Sequence, residues 1–228
     1  MKKLLIILVI ITGLIGGGIY YLFQPKTLGI KYTPQDLESI KNKVNVNNES
    51  LPANTPLSQS LVVSGSHPVE ATFSSEELSA GANYRRSVYK YFPFKNVQIR
   101  VNNDGSVEGS AKVNFADGVN YLLTLGVSSS DIEKGAEKFK IPKADFPVYL
   151  KVGGNIENNK SNINVSAASI ANIPIPQNLI QEYGPGINNL VEGVIEDRSP
   201  SYNIEKLEVV EGKVHFKGTS PDIEKTVR

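Results

Sequence analysis

The chain has 228 residues, a formal net charge of +1 and no cysteine. That length allows one sizeable domain, or two small ones, with accessory segments. The near-neutral charge argues against a duplex-DNA binder, which carries a strong basic excess or stripe, and no nucleic-acid partner is expected; the lack of cysteine excludes disulfide frameworks and zinc–thiolate sites.

The chain opens with "MKKLLIILVIITGLIGGGIYYLFQPK". Residues 4–23 carry no charge, and about 20 residues at a rise of ~1.5 Å make a helix of roughly 30 Å, one hydrocarbon thickness. A cleaved signal peptide has a shorter apolar core, about 7–15 residues, and an A-x-A-like site after it. Neither is present. Tyr20 and Tyr21 stand where an interfacial aromatic belt falls, and Lys2 and Lys3 favour a cytoplasmic N-terminus. The expectation is a retained signal anchor over residues 1–25: a single-pass protein of the cell membrane whose C-terminal domain is extracytoplasmic. A cleaved signal is the alternative, with the Gly16–Gly18 run loosening the helix end. Gly13 and Gly17 give one G-x-x-x-G spacing, which lets membrane helices approach closely, although glycine is common in such helices anyway.

Residues 26–66 carry little pattern. A short helix is predicted at "TPQDLESIKNKV", with Thr33 as N-cap, Pro34 at the first helical position and Asp36 in the first turn. The following "NVNNESLPANTPLSQS", rich in Asn, Ser and Pro, reads as a linker lifting the domain off the membrane.

The globular domain is expected over residues 67–228. Its first helix opens at a Ser74–Glu77 capping box, with Phe73 and Leu78 placed as a hydrophobic staple. Three hairpins follow, turning at Asn103-Asp104-Gly105, Asn158-Asn159-Lys160 and Glu211-Gly212-Lys213, each supplying residues that tolerate positive φ. Apolar and polar residues alternate along the strands, so the sheet has one buried and one wet face. Val97, Ile99, Val113, Val148, Leu150, Val214 and Phe216 are assigned to the buried one. Between the hairpins, "ADGVNYLLTLGVSSSDIEKGAEKF" reads as two helices, the second opening with a Ser130–Glu133 capping box, and "PQNLIQEYGPGINNLVEGVIED" as a helical pattern broken at Gly184-Pro185-Gly186. The fold class is therefore α+β: an N-terminal transmembrane helix, then a curved antiparallel β-sheet built from hairpins, with helices packed on one face.

Chemistry is harder to find. There are two histidines, His67 in a Ser/Gly/Pro-flanked loop and His215 on the wet side of the last strand, and no motif joins them to an acid or nucleophile. Nucleophile elbows, phosphate-binding glycine loops, metalloprotease helices and calcium loops are all missing. No catalytic residue, metal site or cofactor is expected, and the chain is not expected to be an enzyme. Glycosidase carboxylates lie far apart in sequence and leave no local motif, so an enzyme acting on envelope polymer or lipid stays as a third reading. Arg85 and Arg86, near Tyr84, Tyr89 and Tyr91, read either as a solvated basic face or as a contact for acidic head groups or a partner. N-x-S triplets at Asn48, Asn159 and Asn164 are expected by chance in a chain this rich in Asn and Ser.

One stretch resists assignment: "IANIPIP", ending in Pro174 and Pro176, is too apolar for a solvated loop and too proline-rich for a central strand. It is either a stiff joint handing Ile173 and Ile175 to the core, or the lip of an incompletely filled apolar interior. The short side chains of "KVGGN" and "VSAASIAN" suit the second reading. On that reading Ile173, Ile175, Leu179 and Tyr183 are the candidate ligand-binding residues.

The anchor, the Ser74-to-Leu78 helix start, the paired strands and the I-P-I-P element before a helix resemble the YpmS-type membrane-anchored extracytoplasmic proteins of Gram-positive bacteria. More loosely, the element order over about residues 70–220 is similar to tubular lipid-binding domains, in which a curved sheet wraps a helix around an apolar groove. Those resemblances imply a lipid or other apolar ligand, or an envelope protein, as partner, and no catalytic residues. The first functional expectation is an anchored binding domain holding a lipid between sheet and helices. The second is a cell-envelope interaction or structural protein.

Overall fold

The computed structural model describes residues 23–228. All but the last three residues of the expected anchor segment, and its Gly13/Gly17 spacing, lie outside the described residues. Among the described residues no helix is long and apolar enough to cross a membrane.

The molecule is α+β, with an antiparallel eight-stranded main sheet and a mixed three-stranded one. Local chemistry sets the helix starts. α1 (Pro34–Val44) begins with a Thr33–Asp36 capping box and α2 (Ser75–Val88) with the Ser74–Glu77 box, in which the Glu77 N–H donates to Ser74 Oγ at 3.2 Å and the Ser74 N–H to Glu77 Oε2 at 2.9 Å. α3 (Phe115–Thr124) is capped by Asn114. α4 (Ser129–Lys138) is capped by Ser128, not Ser130: Ser128 Oγ accepts from the Asp131 N–H at 3.1 Å, so the expected Ser130–Glu133 box lies inside the helix. The last helical pattern divides, as expected, into α5 (Gln177–Tyr183) and α6 (Pro185–Asp197), because Pro185 has no N–H to continue the ladder.

Residues 47–64 correct the linker reading. β1 (Asn47–Leu51) runs parallel to β11 (Ile223–Val227), and β2 (Leu61–Ser64) pairs antiparallel on its other side. Asn and Ser have low strand propensity, but the backbone of β11 supplies the partners and tertiary pairing overrides it.

The main sheet contains β3 (His67–Phe73), β4 (Phe94–Val101), β5 (Ser106–Val113), β6 (Phe146–Glu157), β7 (Lys160–Ile170), the two-residue β8 (Ile173–Pro174), β9 (Asn203–Val210) and β10 (Lys213–Ser220). The three hairpin turns fall where expected, with positive φ at Gly105 (+83°), at Asn158 and Asn159 (+50° and +64°), and at Glu211 and Gly212 (+52° and +71°). β7 pairs with one edge of β6 over Val148–Glu157. The other edge of β6 is shared: β5 pairs along Phe146–Gly153 and β9 at Ile156 and Glu157. The β4–β5 hairpin and the β9–β10–β3 group therefore follow one another along the long β6–β7 hairpin. They meet in one core, where Phe73 of β3, Val101 of β4 and Val214 of β10 are buried together under Ile40 and Val44 of α1 and Leu78 of α2.

Two helices seal edges of this sheet. The N–H groups of Val101, Ile99 and Val97 face away from β5 and donate to Ser75 Oγ (2.9 Å), Ser79 Oγ (2.8 Å) and Asn83 Oδ1 (3.0 Å) of α2, and Asn83 Nδ2 donates back to the Val97 carbonyl at 2.8 Å. On the far edge the N–H of Ile163 donates to Asn188 Oδ1 (2.7 Å) and that of Ser161 to Glu192 Oε1 (2.9 Å), both on α6. The match is metric: four helical residues rise about 6 Å and two strand residues about 6.7 Å, so side chains at i and i+4 meet alternate strand N–H groups. An edge that would template aggregation is thereby closed.

Of the residues assigned inward, Val97, Val113 and Val214 are buried and Ile99, Val148 and Phe216 half-buried, but Leu150 is 37% exposed. The alternation is right; the cover is missing.

Candidate functional site

Residues directly opposite one another on neighbouring antiparallel strands share a face. The register aligns Ile99, Gly109, Leu150 and Ala168 in one row, and Ala111, Val148, Ile170 and Ile173 in the next. This apolar face of β4–β5–β6–β7 is open to solvent as a trough of about 500 Å³, within the roughly 300–1,000 Å³ usual for small-molecule sites. Its floor is low because Gly109, Ala111 and Ala168 carry little or no side chain; a Cβ built on Gly109 meets nothing within 4 Å. Ala82 of α2 borders it on one side and Ile175 on the other. Phe92 and Phe94 wall one end, edge-to-face with each other at 5.3 Å and with Tyr121 of α3 at 5.9 and 6.5 Å.

The face stays uncovered because of what the helices do elsewhere. α2 and α6 spend their polar sides on the edges of β4 and β7, and α2 lends the trough only Ala82.

The opposite face is polar and closed. Glu108 accepts from Tyr149 Oη (2.5 Å), Arg100 Nε (2.6 Å) and Asn102 Nδ2 (3.3 Å). Burial opposes ionisation of Glu108, but these hydrogen bonds outweigh it and hold its carboxyl below the ordinary range. Burial and the bond to Glu108 push the Tyr149 phenol up to about 12. The segment after Phe23 lies over this face: the Leu28 N–H donates to Gln98 Oε1 at 2.8 Å, Lys26 Nζ sits 3.8 Å from the Tyr149 ring centroid, and the Gln24 carbonyl accepts from Asn172 Nδ2 at 3.0 Å.

The sequence-derived site residues divide. Ile175 lines the trough, and its N–H donates to the Ala168 carbonyl at 2.9 Å. Ile173 pairs with Ile170 and so stands on the trough's side of the sheet, but it is 70% exposed and hands nothing to the core. Leu179 and Tyr183 do not reach the trough: Pro176 starts α5, Leu179 is half-buried on it, and Tyr183 packs edge-on to Phe139 at 5.3 Å under Lys138. The two arginines are occupied within the fold. Arg85 pairs with the buried Glu224, which raises its pKa against the opposing effect of burial, and Arg86 donates to the Phe92 carbonyl (2.9 Å) and to Asp117 (3.4 Å). His67 is not in a loop but opens β3, bonded to Asp222 and the Val44 carbonyl; His215 is exposed on β10. Among the described residues no cluster of His, Asp and Glu could hold a metal ion. Of the trough residues, Ala168 falls in the "VSAASIAN" stretch whose short side chains suggested unfilled space, Gly109, Ala111 and Leu150 were legible only as strand positions, and Phe94 carried no signal; the register brings the small residues side by side.

A second cleft, about 760 Å³ between α3 and α4, mixes Phe115 and Ile132 with Glu133, Glu137, Lys140 and Lys143, and lacks the uniform apolar lining of the trough. Comparison with known protein families, curated proteins and solved structures finds no match to this chain.

Proposed function

We propose that this is a membrane-anchored, extracytoplasmic, non-enzymatic binding domain that holds the acyl chain of a lipid or a similar apolar ligand in the trough. The observation that carries the reading is an open apolar face with a floor of Gly109, Ala111 and Ala168, on a sheet whose β4 and β7 edges are capped by α2 and α6. A face left open by accident would carry polar substitutions; here the uncovered positions are apolar or without a side chain. A methylene group is similar in size to a water molecule, whose share of the liquid is about 30 Å³, so 500 Å³ admits on the order of fifteen such groups, most of one acyl chain. Few polar groups line the trough, so the ligand's head group lies outside it.

The test is photolabelling of the full chain in phosphatidylcholine vesicles with a fatty acid bearing a diazirine near its methyl end. Adducts are expected on peptides containing Leu150 and Ile170, saturable and displaced by unlabelled fatty acid. Unsaturable labelling, or adducts confined to other peptides, would reject the trough as the site.

A further inference from the structure

The apolar sequence of residues 4–23 ends at the β7–β8 corner, from which the following segment runs over the sheet face opposite the trough. Phe23 is the first described residue, and its neighbour Gln24 is held at the β7–β8 corner, where the Gln24 carbonyl accepts from Asn172 Nδ2 at 3.0 Å. That corner is the "IANIPIP" stretch. Ala171 and Asn172 turn with positive φ (+51° and +60°), after which Ile173 and Pro174 are both exposed, Ile173 at 70%. Phe23 is itself 38% exposed. Exposed apolar residues from two distant parts of the chain, Ile173 with Pro174 and Phe23 next to the tethered Gln24, thus lie about one corner. Ile173 is cross-strand from Ile170, a trough residue, so the protruding corner is continuous with the trough's rim at Ile175.

We infer that this corner is the part of the domain that enters the lipid surface, so that the trough opens directly onto the bilayer in which the chain is anchored. The inference rests on the proposed anchor, because a span ending at Phe23 leaves no slack between membrane and domain: Gln24 and Leu28 are already hydrogen-bonded to the fold. The corner carrying Gln24 is therefore at the bilayer surface, and its exposed Ile173 and Pro174 meet the interface rather than water. Prolines suit the place. Pro174 and Pro176 offer no N–H groups, so an edge that would leave unpaired donors in an apolar medium has fewer of them. An acyl chain passing from leaflet to trough would follow Ile173, Ile175 and Ile170 without crossing a polar strip.

The chain has no tryptophan, so Ile173→Trp creates a single indole at an exposed position, excited at wavelengths that the tyrosines do not absorb. The full-length variant, reconstituted in vesicles of phosphatidylcholine and phosphatidylglycerol, is expected to emit at blue-shifted wavelength. It should lose most of its emission when the lipids carry bromine on upper acyl carbons, and resist aqueous acrylamide. A parallel Val210→Trp variant, exposed at the β9–β10 turn, should be unaffected by brominated lipid and open to acrylamide. Extraction with alkaline carbonate separates the anchor from the corner contact. A chain that stays with the vesicles while Trp at 173 behaves like Trp at 210 overturns the corner contact and leaves the anchor standing. A chain released by carbonate overturns the anchor and the corner contact together.

Discussion

Replacing Gly109 by leucine separates a binding trough from an ordinary packing surface. Gly109 lies within β5, between Ile99 and Leu150, and a Cβ there meets no heavy atom within 4 Å. Its backbone lies outside the left-handed region, so a side chain introduces no strain. Glycine inside a strand is less stable than alanine by roughly 0.5–1 kcal/mol, so the variant should be as stable as the parent or more stable by about that amount. For a chain of this size the expected rise in Tm is about 1–4 °C. The four carbons of the new side chain occupy the floor and displace a similar number of ligand methylenes; at about 0.8 kcal/mol each the loss is about 3 kcal/mol, roughly a hundredfold in affinity. Thermal melts of the full chain, read beside diazirine fatty-acid labelling over a concentration series, give both numbers. Labelling that matches the parent would show that the ligand does not use this floor, and a melt lowered by many degrees would show that the space above Gly109 is filled in solution.

The remaining expectations follow from individual contacts. Ile175→Ala should lower stability by less than the ~2–5 kcal/mol typical of a fully packed isoleucine, since Ile175 is only half-buried at the trough rim, while weakening fatty-acid labelling; chemical denaturation measures the first, and a loss in the full packed range would return Ile175 to the core. Arg85→Ala should destabilise by about 3–5 kcal/mol because it leaves buried Glu224 without its cation, and an unchanged denaturation midpoint would instead make Arg85 a surface contact residue. Asn83→Ala should cost about 1–3 kcal/mol by leaving the N–H and carbonyl of Val97 unpaired at the β4 edge, with hydrogen exchange faster at Val97 than at Val113. Glu77 and Glu108 both have folded pKa values below the ordinary carboxylate value of 4.5. Their stabilisation is complete above that value and is lost as pH falls through the folded pKa, so denaturation midpoints should fall below about pH 4.5, less steeply in Glu108→Gln.

What the sequence discloses here is what short-range chemistry determines. The capping boxes at Thr33 and Ser74 and the turns at Gly105, Asn158–Asn159 and Glu211–Gly212 depend on residues within four positions of one another, and each is where its local pattern puts it. β1 was hidden because its partner, β11, is at the other end of the chain. The role of Arg85 was hidden for the same reason, its counter-charge lying 139 residues away. The site was half-legible. Alternation identifies which face of a strand is apolar, but not whether another element covers it. Leu150 and Ile99 read as core for that reason, and only the register, which sets Gly109 beside Ala168 across Leu150, distinguishes a trough from a packed layer.

The open face is coupled to the closed edge. Laid over the trough, α2 would bury the apolar row at Ile99 and Leu150, but its Ser75, Ser79 and Asn83 side chains would leave the β4 edge. The N–H groups of Val97, Ile99 and Val101 would then lose their partners, each worth about 1–3 kcal/mol if left unpaired and buried. The sequence of α2 is written for the edge: its i, i+4, i+8 positions are Ser, Ser and Asn, and only Ala82 is presented to the trough. A serine stripe suited to strand N–H groups is a poor lid for a hydrocarbon surface, so the same residues that stabilise the edge keep the helix off the face. The opening therefore does not depend on loose packing or on a mobile lid. It should persist in the ligand-free protein, and ligand should enter without a rearrangement of α2, which makes the hydrogen-exchange protection of Val97, Ile99 and Val101 insensitive to added fatty acid. Loss of that protection on ligand addition would mean that α2 moves, and that the trough is formed by binding rather than waiting for it.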